Sequence, residues 1–215
     1  MLAYTKSKLL GNTESTTPWL ESNGPAGVQY WGNLRLERSL ESYDASQRMV
    51  LSYVVDLPFG KGRKYMSHAN KVVQAVAGGW GLDGILTLQT GFPLEFSTNN
   101  NNIHDEGGGS RPNFNLTVCP NGAGVSGSAS NRVNAWFNTS CFSAPPNFTL
   151  GTVSRTTPNL RQDGIHNFDF ALFKNFDVTP EGRLKAQLRG ESFNLLNTPQ
   201  FGSPNTQQGR QHLVR

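Results

Sequence analysis

The sequence predicts an all-β chain, an antiparallel up-and-down meander of about five strands. Apolar residues recur at every second position in successive windows, the period of a strand with one buried face. Short and very long connections alternate between those windows. Gly and Pro number 23 and 12 in 215 residues, roughly 16% against an ordinary 12%, so turns and irregular segments are abundant. Charged residues make up 16% of the chain, below the roughly 25% of ordinary domains, and hydrophobic residues 36%. Uncharged polar residues fill the difference, as expected for strands joined by polar loops.

The first strand, in residues 1–10, is the weakest, with Leu2, Tyr4, Lys6 and Lys8 in one register. In residues 47–57, Met49, Leu51, Tyr53, Val55 and Leu57 form an apolar face, and Arg48, Val50, Ser52, Val54 and Asp56 a mixed one. Residues 80–89 set Trp80, Leu82, Gly84, Leu86 and Leu88 against Gly81, Asp83, Ile85, Thr87 and Gln89. Over residues 166–178, Phe168, Phe170, Leu172, Phe176 and Val178 share a face that Lys174 interrupts, opposite Asn167, Asp169, Asn175 and Asp177. Residues 183–193 alternate Leu184, Ala186 and Leu188 with Arg183, Lys185, Gln187, Arg189 and Glu191. That charged face needs water or partners.

Thr179-Pro180-Glu181-Gly182 reads as a tight turn, because Pro and Gly preset its dihedrals. The connection over 58–79 is intermediate, with a short helix expected at 69–77. By contrast, about 34 residues separate the first two strands and about 75 run from Thr90 to Ile165, lengths that are rare in compact domains unless functional. In a meander every second connection lies on one side, so the long loops gather at one end and the short turns at the other. Outer-membrane β-barrels have this asymmetry, with aromatic girdles at both interfaces. Phe59, Tyr65 and Trp80 fall on the short-turn side, and Phe92, Phe96, Phe168 and Phe201 on the long-loop side. A Lys on a lipid face costs about 2–4 kcal/mol at mid-membrane, so a bulge or a near-interface position is expected at Lys174. A secreted β-sandwich fits the same periodicity, binding carbohydrate on Trp19, Trp31 and Trp136.

Other classes are disfavoured. No run of about 18 apolar residues exists, which excludes a transmembrane helix. Of the 19 basic residues, only Lys61, Arg63 and Lys64 cluster, a poor footprint for nucleic acid. His68, His104, His166 and His212 form no HExxH pair, and no phosphate loop follows a strand into a helix, so neither an enzyme nor a cofactor or metal site is expected. Asp105 and Glu106 follow an Asn run without EF-hand spacing. The glycosylation-type triplets at Asn115, Asn138 and Asn147 are expected by chance in so Asn-rich a chain. Cys119 and Cys141 stand alone in a polar stretch, and outside a reducing compartment they predict a disulfide worth about 3 kcal/mol. Residues 1–6 lack the basic start and apolar core of a signal peptide, which leaves a cytoplasmic protein or a piece of something longer.

Several motifs, in order, carry a family resemblance. They are Asp56-Leu57-Pro58-Phe59-Gly60-Lys61-Gly62-Arg63-Lys64-Tyr65; Gly78-Gly79-Trp80 followed by Leu86-Thr87-Leu88-Gln89-Thr90-Gly91-Phe92-Pro93; Trp136-Phe137-Asn138 leading to Cys141-Phe142; and Phe193-Asn194-Leu195-Leu196-Asn197-Thr198-Pro199-Gln200-Phe201-Gly202. Together they resemble the C-terminal barrel segment of Oar-like TonB-dependent outer-membrane receptors. The resemblance implies a 22-stranded barrel in the cell outer membrane, a plug domain, and import of an outer ligand with energy relayed by TonB. The partners it implies are outer-membrane lipid, the plug, the TonB complex and an unidentified ligand.

On this reading Met49, Leu51, Tyr53, Val55, Leu57, Trp80, Leu82, Leu86, Leu88, Phe168, Phe170, Leu172, Phe176, Leu184 and Leu188 face lipid. Arg48, Asp56, Asp83, Lys185, Arg189 and Glu191 face the lumen or plug. Residues 1–205 form part of the barrel, with long outer loops at about 11–45 and 91–165, and 206–215 form a tail without strand alternation. Five strands cannot close a barrel. The expectation is therefore a truncated receptor piece, without plug, TonB box or final strand, that does not transport alone.

Overall fold

The computed structural model describes residues 1–13, 28–98, 110–179 and 183–208. Strands β1 (Leu2–Lys6), β2 (Leu10–Gly11), β3 (Ser39–Leu40) and β4 (Gln47–Asp56) lead to helix α1 (Lys71–Ala77). Then come β5 (Trp80–Gln89), β6 (Pro93–Leu94), β7 (Asn113–Phe114), helix α2 (Ala129–Arg132), β8 (Phe142–Ser143), β9 (Thr157–Arg161), β10 (Ile165–Asp177) and β11 (Lys185–Ser192). Two compact units result: Met1–Thr5 with Arg48–Gln89 and Ile165–Thr198, and Lys6–Gln47 with Thr90–Gly164 and Pro199–Arg215.

The first unit is a five-stranded sheet in the order β1-β4-β5-β10-β11. The β4–β5, β5–β10 and β10–β11 pairs are antiparallel, and reciprocal hydrogen bonds set Met1 against Ser52. Gln89 is opposite both Arg48 and Ile165, so the chain leaves β5 and enters β4 and β10 at one end of the sheet. Leucine, valine and phenylalanine at alternate positions suit a pleated surface with one apolar side.

Two glycines admit aromatic rings from the neighbouring strands. A Cβ on Gly81 would lie 2.3 Å from the ring of Phe173, its partner in register, and one on Gly84 would lie 2.6 Å from the Tyr53 hydroxyl. Phe173 and Tyr53 thus cover glycine backbone on opposite faces. At the other end of the sheet, α1 starts at Asn70, whose side chain accepts from the Val73 amide at 2.9 Å, and covers part of the segment expected to be helical. The chain turns from it into β5 at Gly79, where φ is +76° and a Cβ would meet Asn175 O at 2.4 Å, so only glycine fits. After β11, Asn194 and Asn197 take the left-handed conformation, with φ of 48° at each. Asn194 Oδ1 accepts from the Thr198 amide and its Nδ2 donates to Thr198 O, both at 3.0 Å, which closes the loop.

Of the two alternatives expected at Lys174, the bulge is not formed: the residue sits opposite Trp80, the first residue of β5, on one side and Leu188 on the other with no register shift. The charge is met by carbonyl oxygens instead, as described below.

In the second unit the long connections are not structureless. They build the two-stranded pairs β2–β3, β6–β9 and β7–β8, the last two of which contribute to a core of Leu94, Phe96, Ala123, Trp136, Phe137, Phe142, Val153 and Leu160, closed by the Cys119–Cys141 disulfide. Phe96 stacks on Phe142 at 4.2 Å between centroids and meets Phe137 edge-on at 4.9 Å. Its 3% exposure corrects the expectation that it belongs to an interfacial girdle. The tight turn at 180–182, the Asn-rich run at 99–109 with His104, Asp105 and Glu106, Trp19, and residues 209–215 with His212 lie outside the described residues.

Candidate functional site

Cross-strand register joins the period-two stripes into two continuous surfaces. Met49, Leu51, Tyr53 and Val55 are opposite Leu88, Leu86, Gly84 and Leu82. Phe168, Phe170 and Leu172 continue the row beyond Leu86, Gly84 and Leu82, and Leu188 and Ala186 extend it past Lys174 and Phe176. Trp80 belongs to this face, with Leu57 and Leu184 just outside the strands at the same parity. Much of it is open: Val55 is 45% exposed, Leu172 39%, Phe176 40% and Leu188 65%. Isolated exposed apolar residues are ordinary, but a contiguous apolar sheet face marks a contact with a partner or with lipid.

The opposite face carries Arg48, Asp56, Asp83, Lys185, Arg189 and Glu191, all on it by register. Arg189 reaches across β10 to Asp83 at 2.9 Å and also pairs with Glu191. Asp56 pairs with Arg63 at 2.8 Å. These contacts are exposed, so they contribute little to stability and chiefly organise a hydrated surface.

On the apolar face Lys174 is 5% exposed. Its Nζ donates to Val76 O and Gly78 O, both at 2.8 Å, and lies 4.8 Å from the Trp80 ring centroid and 5.4 Å from that of Phe176. Trp80 Nε1 donates to the same Val76 O at 2.8 Å. The cation therefore neutralises the carbonyl end of α1 and holds the helix to the sheet. No local sequence signal announces this, because Lys174 and Val76 are 98 positions apart.

The second unit holds a polar centre that periodicity did not reveal. Glu37 Oε1 accepts from Arg111 Nη2 at 2.8 Å and from the Gln29 and Tyr30 amides at 3.2 and 3.3 Å. Arg155 donates through Nε to Glu37 O and through Nη2 to Gly11 O, both at 3.2 Å, and lies 3.4 Å from Glu41. Arg161 grips Asp44 at 2.7 Å and also donates to Gly91 O at 3.0 Å. Burial pushes the Arg111 guanidinium below its ordinary value, while Glu37 opposes that shift. Glu37 Oε2 and Arg111 Nε and Nη1 have no hydrogen-bond partner among the described residues.

Trp136 is 7% exposed in the core, with Nε1 on Arg161 O at 2.8 Å and the Arg132 guanidinium 4.2 Å above its ring. It is thus unfit as a carbohydrate platform, although Trp31 is 42% exposed. The side chains of Asn115 and Asn138 accept local backbone amides and shape turns. Among the described residues no group of three His, Cys, Asp or Glu could hold a metal ion, and no helix is long and apolar enough to cross a membrane. The latter says nothing of crossing by strands.

A family model described as the outer membrane beta barrel domain matches residues 1–213. No curated protein matches the chain. No solved structure matches it either.

Proposed function

The chain belongs to the outer membrane β-barrel domain family, whose place is the cell outer membrane, and we propose that its sheet is a section of barrel wall with the apolar face toward lipid and the charged face toward the lumen. One observation carries this reading: a five-stranded antiparallel sheet, apolar on one face and charged on the other, whose long connections leave from one end. In a bilayer every backbone group needs a partner, so the two outer strands of this sheet must be paired there, by further strands or by other copies of the chain. Here β1 and β11 are the outer strands of an open order, which supports a larger barrel than these five strands make.

The finer assignment is to an Oar-like TonB-dependent receptor of 22 strands. It rests on the order of the motifs around Asp56–Tyr65, Trp80–Pro93, Trp136–Phe142 and Phe193–Gly202. In that assignment residues 11–45 and 91–165 are outer loops that meet the imported ligand, the charged face meets the plug, and TonB supplies the energy. This chain is a portion of the receptor that does not import alone, and it has no catalytic role.

Photo-crosslinking tests the orientation. A benzophenone side chain at Leu51 or Leu172 should attach to acyl chains when the protein is reconstituted in vesicles, whereas one at Ser52 or Asn167 should not; the reverse pattern overturns it. A heat-dependent gel shift by the chain refolded alone in detergent would overturn the portion assignment, since that shift reports a closed barrel.

A further inference from the structure

We propose that the connection between β4 and β5, residues 57–79, is an interfacial anchor that binds the phosphate groups of anionic phospholipids in the leaflet at the short-turn end of the sheet. The inference rests on the wall reading above, because it needs the apolar sheet face to lie in lipid. Three observations lead to it.

The first is composition. From 57 to 82 the chain has no Asp or Glu, while Lys61, Arg63, Lys64 and Lys71 are all exposed. Among the described residues Asp56 pairs with one of them, Arg63, at 2.8 Å. Each Lys or Arg near an anionic bilayer surface strengthens association by about fivefold at moderate ionic strength.

The second is the apolar surface beside the cations. Val72 and Val76, one turn apart on α1, are 72% and 68% exposed, and Tyr65 and Met66 are 47% and 41% exposed. Side by side on one helix face, near Tyr65 and Met66 in sequence, they are more than isolated exposed residues. Beside a hydrocarbon boundary the same arrangement is favourable, since valines bury and cations reach the headgroups.

The third is continuity. The carbonyl end of α1 is pinned to the apolar face by Lys174 and Trp80, both bonded to Val76 O. The helix that carries the two exposed valines is thus held to the sheet face of Trp80, Leu82, Leu172 and Phe176. Phe59 and Tyr65, 5.8 Å apart, and Trp80 supply aromatic rings of the kind found at a membrane boundary. The long connections leave from the opposite end of the sheet, which puts this segment at the short-turn end, the periplasmic side in outer-membrane barrels.

The full chain is reconstituted into phosphatidylcholine bilayers containing a small fraction of headgroup-labelled dansyl lipid, either phosphatidylglycerol or phosphatidylcholine, and tryptophan-to-dansyl energy transfer is read. The expected result is a several-fold excess of transfer to the phosphatidylglycerol probe, abolished by high salt. The variant K61Q/R63Q/K64Q/K71Q should lose the excess, with apparent affinity for phosphatidylglycerol lower by about a hundredfold, the product of roughly fivefold for each cation other than Arg63, which Asp56 already neutralises. Arg48→Gln, at the other end of β4, should retain it. V72S/V76S should reduce transfer to both probes. Equal transfer to the two probes in the parent chain, or an excess that survives the quadruple variant, overturns the proposal while leaving the wall reading intact. No transfer to either probe means that the chain does not enter the bilayer, and both fall. If the quadruple variant does not fold by circular dichroism, Lys64→Gln and the salt titration of the parent chain decide by the same criteria.

Discussion

Arg111 Nη2 lies 2.8 Å from Glu37 Oε1, and both side chains are almost wholly buried, at 4% and 0% exposure. The pair joins segments 74 positions apart in the second unit. Removing one member of a buried ion pair strands the other charge, at about 3–5 kcal/mol. Arg111→Met should therefore destabilise strongly. Glu37→Gln/Arg111→Met should cost less than Arg111→Met alone, because glutamine keeps an acceptor for the Gln29 and Tyr30 amides without a buried charge. Denaturant unfolding followed by tryptophan fluorescence measures this cycle; a double variant less stable than Arg111→Met would contradict it.

The disulfide closes a stretch of 22 positions inside the aromatic cluster. C119A/C141A should lose about 3 kcal/mol on the loop-entropy account. The same loss should follow reduction of the native chain, and it should appear as a lower midpoint in urea. An unchanged midpoint would show that the phenylalanine packing alone holds the unit.

Lys174→Met retains the apolar stem but removes the donors that satisfy Val76 O and Gly78 O. Two carbonyls left without this partner should cost about 1–3 kcal/mol between them, felt in α1. Hydrogen exchange at the α1 amides should quicken by about five- to a hundredfold, with protection in β5 and β10 retained. Uniform loss of protection across the sheet would mean that Lys174 sets the register instead.

Gly81→Ala places a methyl group into the Phe173 ring, and the overlap should destabilise the sheet by about 1–3 kcal/mol. Phe173→Ala alone removes the ring cover from the glycine backbone. G81A/F173A should be less destabilised than the sum of the two single variants, since the clash disappears with the ring. Thermal melts of the β-signal in circular dichroism give the comparison; strict additivity would rule out direct contact.

Legibility followed sequence distance. The five strands, their approximate bounds and the grouping of Met49, Leu51, Tyr53 and Val55 with Leu86 and Leu88 were readable because pleating imposes a period of two on local sequence. The burial of Phe96 and Trp136 was not readable, since an aromatic near a strand end looks the same whether it meets a membrane boundary or an aromatic cluster. Lys174 looked like a defect for the same reason: its partners arrive from α1, 96 and 98 positions away.

By itself, then, the sequence determined which residues share a face of each strand and where the chain turns, because those follow from backbone geometry within a few residues. The tertiary structure alone decided how charges on the apolar face and within the loops are satisfied. Glu37 with Arg111, Arg155 with Gly11 and Lys174 with Val76 meet only after the chain has folded back over tens of residues. A buried charge is tolerable only where such partners converge, so its fate belongs to packing rather than to pattern.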